Sequence, residues 1–256
     1  ARFRRPTGFA LLDKPCLKRA SWRLRAGHPL RGRPRVMSWP TAIRGCTHAI
    51  GIHPEPAGPE DCGTEGPAPT VSVFGGDWAA EMKALAPYYD DPKVVAVGEC
   101  GLDYHWPVPK DAQLALSAEL PLALELDKPI IVHDRSAHAD VYALLKSTGP
   151  RASSTAIPAA LMTRSGWQAG LYIGFGGACT FKGAKRAAKV IAALPLERIV
   201  LETDCPYMAP EPVRGTRCDS SLIRYVRYIA SVKGEEPEQV FRQTVENACQ
   251  VYNLSV

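Results

Sequence analysis

Four side chains able to bind a metal stand where short apolar runs end. His53 follows His48–Ile52, Glu99 follows Val94–Val97, His133 follows Ile130–Val132, and Asp204 follows Ile199–Leu201. Carboxylates and imidazoles gathered from several strand ends suit a divalent cation with open positions. Such an ion lowers the pKa of water toward about 7, and a carboxylate beside that water can act as general base. Arg135, two residues beyond His133, offers a planar donor to phosphate. Each residue alone has a plainer reading. Glu99 could be a buried acid paired with an Arg or with backbone amides, His133 a satisfied core histidine, and Asp204 a cap or ion-pair partner. Only the combination points to metal chemistry. Other chemistries lack their signatures: there is no G-x-S-x-G elbow, no G-x-x-x-x-G-K-[ST] loop, and no GxGxxG run after a strand.

Two further segments could meet a phosphate. Gly174–Gly177 precedes Lys182, and Arg214-Gly215-Thr216-Arg217 is a Gly-hinged basic loop shortly after Asp204. The alternatives are a plain turn and a solvated surface loop.

These residues need a scaffold that brings several strand ends together. From residue 46 onward, short apolar runs alternate with helical stretches. Strands are predicted at His48–Ile52, Val94–Val97, Ile130–Val132, Leu171–Phe175 and Ile199–Leu201. Helices are predicted at Trp78–Tyr88, Asp111–Leu126 (kinked at Pro121), Ala139–Lys146, Gly183–Leu194, Ser221–Lys233 and Pro237–Tyr252. Such alternation argues a parallel sheet with helical crossovers. Polar residues at four strand ends favour a (β/α)8 TIM-type barrel over an open sheet, because a barrel gathers all those ends at one mouth.

The chain has 256 residues, 46% of them apolar and 22% charged, which excludes disorder throughout. No run of 18 apolar residues exists, so no membrane span is expected. Eight Cys without a CxxC pair indicate neither a zinc finger nor a dithiol motif, and the cytoplasm is the expected compartment. The net charge of +5 is unevenly spread. Residues 1–50 hold twelve Lys/Arg against one acid, +11, which leaves nineteen against twenty-five, −6, in the remainder. Residues 1–45 are basic, Pro-punctuated and without period, as in an irregular arm. Residues 46–256 are assigned to the barrel domain.

Between His48 and Asn253 the chain resembles the TatD-type metal-dependent hydrolases. The pieces that carry the resemblance are Gly51-Ile52-His53-Pro54, Val95–Tyr104, Lys128–Arg135, Gly170–Gly177, Leu201–Pro210, Arg214–Arg217 and Glu246-Asn247-Ala248, in that order. The resemblance implies a (β/α)8 barrel that hydrolyses phosphodiester bonds, typically of DNA, with one or two Mg, Mn or Zn ions. It implies Glu99, His133 and Asp204 as metal ligands, with Glu99 bridging and Asp204 the candidate general base. Glu99 and Asp204 are thus the catalytic expectation. His53, Arg135, Lys182, Arg214 and Arg217 are expected to bind substrate.

Two motifs of that family are missing. Nothing in residues 1–45 matches its opening Asp-Thr-His-x-His strand, and 150–166 contains no histidine where a His-Cys-Phe-x-Gly strand belongs. Three of six ligands are therefore unaccounted for, the N-terminal strands of the barrel are expected to be incomplete, and weak activity is expected. Out-of-frame translation of both stretches would account for them, and reading the parent nucleotide sequence in its other two frames tests that idea. The competing functions are an inactive barrel that binds nucleic acid through its basic head, and a barrel metallohydrolase acting on amides or esters.

Overall fold

The computed structural model describes residues 47–54, 78–105, 118–148, 152–154, 171–204 and 207–254. The basic head, and 150–166 apart from 152–154, lie outside the described residues.

Among the described residues there are six strands: β1 His48–Ile50, β2 Val94–Asp103, β3 Ile130–Arg135, β4 Ala152–Ser154, β5 Ile173–Phe175 and β6 Ile199–Leu201. Six α-helices accompany them there: α1 Trp78–Leu85, α2 Glu119–Glu125, α3 His138–Thr148, α4 Lys185–Ala193, α5 Val226–Lys233 and α6 Pro237–Tyr252. The strands form one sheet in the order β1-β2-β3-β4-β5-β6, and every neighbouring pair is parallel. An open doubly wound sheet reverses its strand order at a switch point. This sheet has no reversal, which is the order of a barrel. The α/β TIM-type reading therefore stands.

Three local expectations are corrected. β2 runs six residues beyond Val97, because the backbone crosses Gly98 with a register shift between Gly98 and Cys100 and then goes on pairing with β3. Likewise β3 continues to Arg135. Glu99 and His133 thus sit inside strands rather than after them. Pro121 lies in α2, Glu119–Glu125, and 111–117 of the helix predicted around it lie outside the described residues. Finally, β4 falls outside the strands read from apolar runs, in the stretch where the resembled family has its His-Cys-Phe-x-Gly strand. Its sequence Ala-Ser-Ser carries no apolar signal, and only pairing with β3 defines it.

The core lies in two main clusters. Ile50, Val97, Leu102, Ile130 and Val132 pack with Leu120, Val141 and Leu145 of α2 and α3. Ile173, Phe175 and Ile199 pack with Ile191, Ile229 and Val240 of α4–α6. Alternate residues Ala49, Ala96 and Ile131 meet Tyr252 near the end of α6 instead, as the two-residue period of strands requires. Among the described residues no helix is long and apolar enough to cross a membrane.

Two buried polar groups tie down the C-terminal edge of the sheet, where the site lies. The Tyr225 hydroxyl accepts from the Glu202 amide at 2.8 Å and lies 2.6 Å from the Phe175 carbonyl, joining the ends of β5 and β6. Glu119, fully buried at the start of α2, accepts from the Ile52 amide at 3.0 Å and so fixes the backbone just before His53. Among the described residues its second oxygen has no hydrogen-bond partner. Burial pushes the Glu119 carboxyl well above the usual carboxylate range, and the Ile52 amide opposes this only in part. The folded protein therefore keeps a proton that the unfolded chain releases near pH 4.5, and stability declines as pH rises above that value. Glu119→Gln stays neutral at every pH. It is expected to raise Tm over wild type at pH 8 and to lose that advantage at pH 4. An equal effect at both values in thermal melts would contradict a protonated Glu119.

Candidate metal centre

β1, β2 and β3 lie side by side, and their C-terminal ends share one edge of the sheet. Close backbone approach brings the heads of three side chains together there. A Cβ on Gly51 would come within 2.5 Å of the Gly98 Cα. Gly101 has φ +139, and a Cβ there would meet the His133 carbonyl oxygen at 2.0 Å. Neither strand could approach so nearly with a side chain at these positions.

The result is a group made of His53, Glu99 and His133, whose ligand atoms all lie within 4.8 Å of one another. His53 and Glu99 are each 4% exposed. His133 Nδ1 lies 3.3 Å from Glu99 Oε1, and His53 Nε2 lies 3.9 Å from the same oxygen. The two imidazoles meet edge to face with centroids 4.3 Å apart. Donors around 2.1 Å from a tetrahedral ion stand about 3.4 Å from each other. The spacing, the burial and the mixed N/O donor set therefore fit a divalent cation. No other such group of three occurs among the described residues.

The other nitrogen of His133 is engaged as well. Nε2 lies 2.9 Å from Asp103 Oδ2, and the other Asp103 oxygen accepts from the His105 amide at 2.9 Å. Asp103 is fully buried. A carboxylate behind a histidine fixes its tautomer and ring orientation, and this contact leaves Nδ1 facing Glu99. Without a metal, His133 is an imidazolium between two carboxylates. Burial disfavours its charge, but hydrogen bonds to Asp103 and Glu99 outweigh burial and push it up to about 9. Burial would also raise Asp103, yet the hydrogen bond from His133 and the charge beside it hold that carboxyl below its usual range.

The remaining expected residues are placed as follows. Asp204 is half-buried, three residues past β6, and is not part of the three-residue group. Arg135 closes β3, half-buried, and its charge helps lower Asp103. Lys182, Arg214 and Arg217 are exposed at the turn after β5 and in the loop after β6. The structure thus moves His53 from the substrate-binding set into the candidate ligand group. Asp103 was missed as a partner of His133. Glu99, Gly101 and Asp103 alternate along one face of a strand, but that signal shows only once β2 is known to continue past Gly98.

The family model described as TatD related DNase matches residues 34–253. A Bacillus subtilis protein named uncharacterized metal-dependent hydrolase YabD is 37% identical over 185 residues, 70% of each chain. An Erwinia billingiae protein named 3'-5' ssDNA/RNA exonuclease TatD is 32% identical over 221 residues, 82% of this chain and 78% of that one. Among solved structures, YJJV, a TatD homolog from Escherichia coli K12, superposes with a TM-score of 0.70 at 25% identity, covering 86% of this chain and 82% of that one. A TatD-family hydrolase from Entamoeba histolytica shares the fold with a TM-score of 0.63 at 20% identity, over 81% and 74%.

The raised pKa of His133 has a definite sign in the metal-free protein. Its stabilising contribution is complete below about 6.5 and is lost as pH rises through about 9. In EDTA, the wild type is expected to lose on the order of 2–3 kcal/mol between pH 6 and pH 10 from this group. Asp103→Asn removes the main partner and should flatten that dependence. Parallel pH profiles of the two proteins in denaturant titrations would argue against the pair.

Proposed function

The chain belongs to the TatD related DNase family of metal-dependent hydrolases, and from that premise we propose that it hydrolyses phosphodiester bonds of nucleic acid with a divalent ion held by His53, Glu99 and His133. The observation that carries the reading is the buried two-imidazole, one-carboxylate group at the C-terminal edge of the sheet, where barrel enzymes place their chemistry. The Erwinia relative is named as an exonuclease on single-stranded DNA and RNA, which supports the substrate class.

The roles divide by chemistry. Glu99 and the two imidazoles would hold the ion, and a donor set with two nitrogens favours Zn over Mg. When bound, the ion supplies Lewis acidity, acidifying water and offsetting negative charge on phosphate oxygens. Asp103 keeps the Nε2 proton of His133 occupied, so that Nδ1 stays directed at Glu99. Asp204, half-buried beyond β6, is the proposed proton acceptor. Arg135 presents a fork to phosphate, and Lys182, Arg214 and Arg217 attract the backbone of the substrate. Of the ligands the family pattern implies, Glu99 and His133 stand in this group with His53 as the third donor, and slow turnover is the expected outcome.

Nuclease assays on labelled DNA with Mn or Zn check this directly. Slow cleavage that stops in EDTA is expected, with Glu99→Ala and His133→Ala abolishing both cleavage and metal binding. Asp204→Asn should lower kcat by at least about 100-fold while leaving calorimetric metal affinity unchanged. Cleavage that survives EDTA, or metal binding that survives Glu99→Ala, would overturn the assignment.

A further inference from the structure

The stretch 207–219 after β6 is tied to its surroundings at several points, yet it displays apolar side chains to solvent. Its two flanks are anchored by Ala209 and Cys218, which are buried with Leu222. The Glu211 amide donates to Thr180 Oγ1 at 2.8 Å. The stretch Met208–Pro210 presses on Gly177 so closely that a Cβ there would stand 2.5 Å from the Met208 carbonyl oxygen. Val213 donates to the Pro210 carbonyl at 2.9 Å, and the Thr216 hydroxyl donates to the Val213 carbonyl at 2.7 Å.

On this stretch, Tyr207 is 43% exposed, Met208 46% and Val213 37%. They are three of the four exposed large apolar side chains among the described residues, the fourth being Leu124 on α2. Single exposed apolar residues need no explanation, but a concentration of them on one loop does. The same loop carries Arg214 and Arg217, and Lys182 stands on the adjoining turn. Arg214 Cζ lies 4.1 Å from the centroid of the Phe181 ring, so the cation is held by an aromatic face.

We infer that this loop is a stacking platform for single-stranded polynucleotide. Tyr207 and Met208 take the faces of unstacked bases, while Arg214, Arg217 and Lys182 take the phosphates. Only a single strand offers both at once, because a duplex hides its base faces within its own stack. The platform lies at the C-terminal edge of the sheet that carries His53, Glu99 and His133, so a strand lying on it is aligned with the site edge. This inference rests on the nucleic-acid reading above.

Fluorescence anisotropy with the full chain in EDTA tests it without cleavage. The probes are labelled oligo(dT) and the same oligomer annealed to oligo(dA). The wild type is expected to prefer the single strand by about tenfold or more. Tyr207→Ala with Met208→Ala should lower affinity for oligo(dT) about tenfold and leave the salt dependence unchanged. Tyr207→Phe should retain wild-type affinity, since the ring face and not the hydroxyl is used. Arg214→Ala with Arg217→Ala should instead flatten the salt dependence, by a slope of about 0.7 per lost contact. Circular dichroism melts confirm that the variants fold. The platform is overturned if the Tyr207/Met208 variant binds oligo(dT) like wild type, or if the wild type prefers the duplex. If the wild type binds neither probe and cleaves no nucleic acid with Mn, the nucleic-acid reading falls and the platform falls with it. Metal-dependent cleavage alongside an unchanged Tyr207/Met208 affinity would remove the platform alone.

Discussion

His133 reaches Glu99 with one ring nitrogen and Asp103 with the other only because β2 and β3 run so close at Gly101. A single methyl group there would have to occupy the space of the His133 carbonyl oxygen. The centre therefore depends on backbone apposition before it depends on any side chain. Gly51 and Gly98 repeat the arrangement between β1 and β2, which carries His53 to the same place. Two carboxylates and two imidazoles in a buried space would be a costly collection without mutual pairing or an ion. The pairing of His133 answers half of that demand, and the His53–Glu99–His133 spacing is that of metal ligands.

The second part of the proposed site is built differently. Asp204 and the basic loop belong to the β5–β6 side, where a tyrosine hydroxyl rather than glycine contacts holds the strand ends together. The first part is dry and closely packed. The second is open, cationic and partly apolar. An enzyme acting on a polyanion needs both: a water-poor centre where charges are effective and an accessible rim that collects the substrate.

Much of this was legible in the residues themselves. The periodicity of α6 and the stop at Gly234, which takes the left-handed conformation at φ +72, mark the C-terminal helices correctly. Ile199–Leu201 reads as a strand because a buried parallel strand is a continuous apolar run. Three features were hidden for physical reasons. Gly98 looks like a strand terminator, so the continuation to Asp103 was not apparent. β4 has no apolar signal, since Ala-Ser-Ser owes its conformation to a neighbour distant in sequence. The placement of His53 beside Glu99 depends on a strand–strand distance, which no pattern within one segment encodes.

One helix reaches both halves of the sheet. Val240, early in α6, is buried with Ile173, Phe175 and Ile199 of β5 and β6, whereas Tyr252, at its end, is buried with Ala49, Ala96 and Ile131 of β1–β3. The strands that carry His53, Glu99 and His133 and the strand that leads to Asp204 therefore share one sixteen-residue brace. A segment packed on two clusters opens only when both give way, so the amides of α6 belong with the slowest-exchanging class. A mutation that loosens α6 would disturb the imidazole–carboxylate cluster and the cationic loop together.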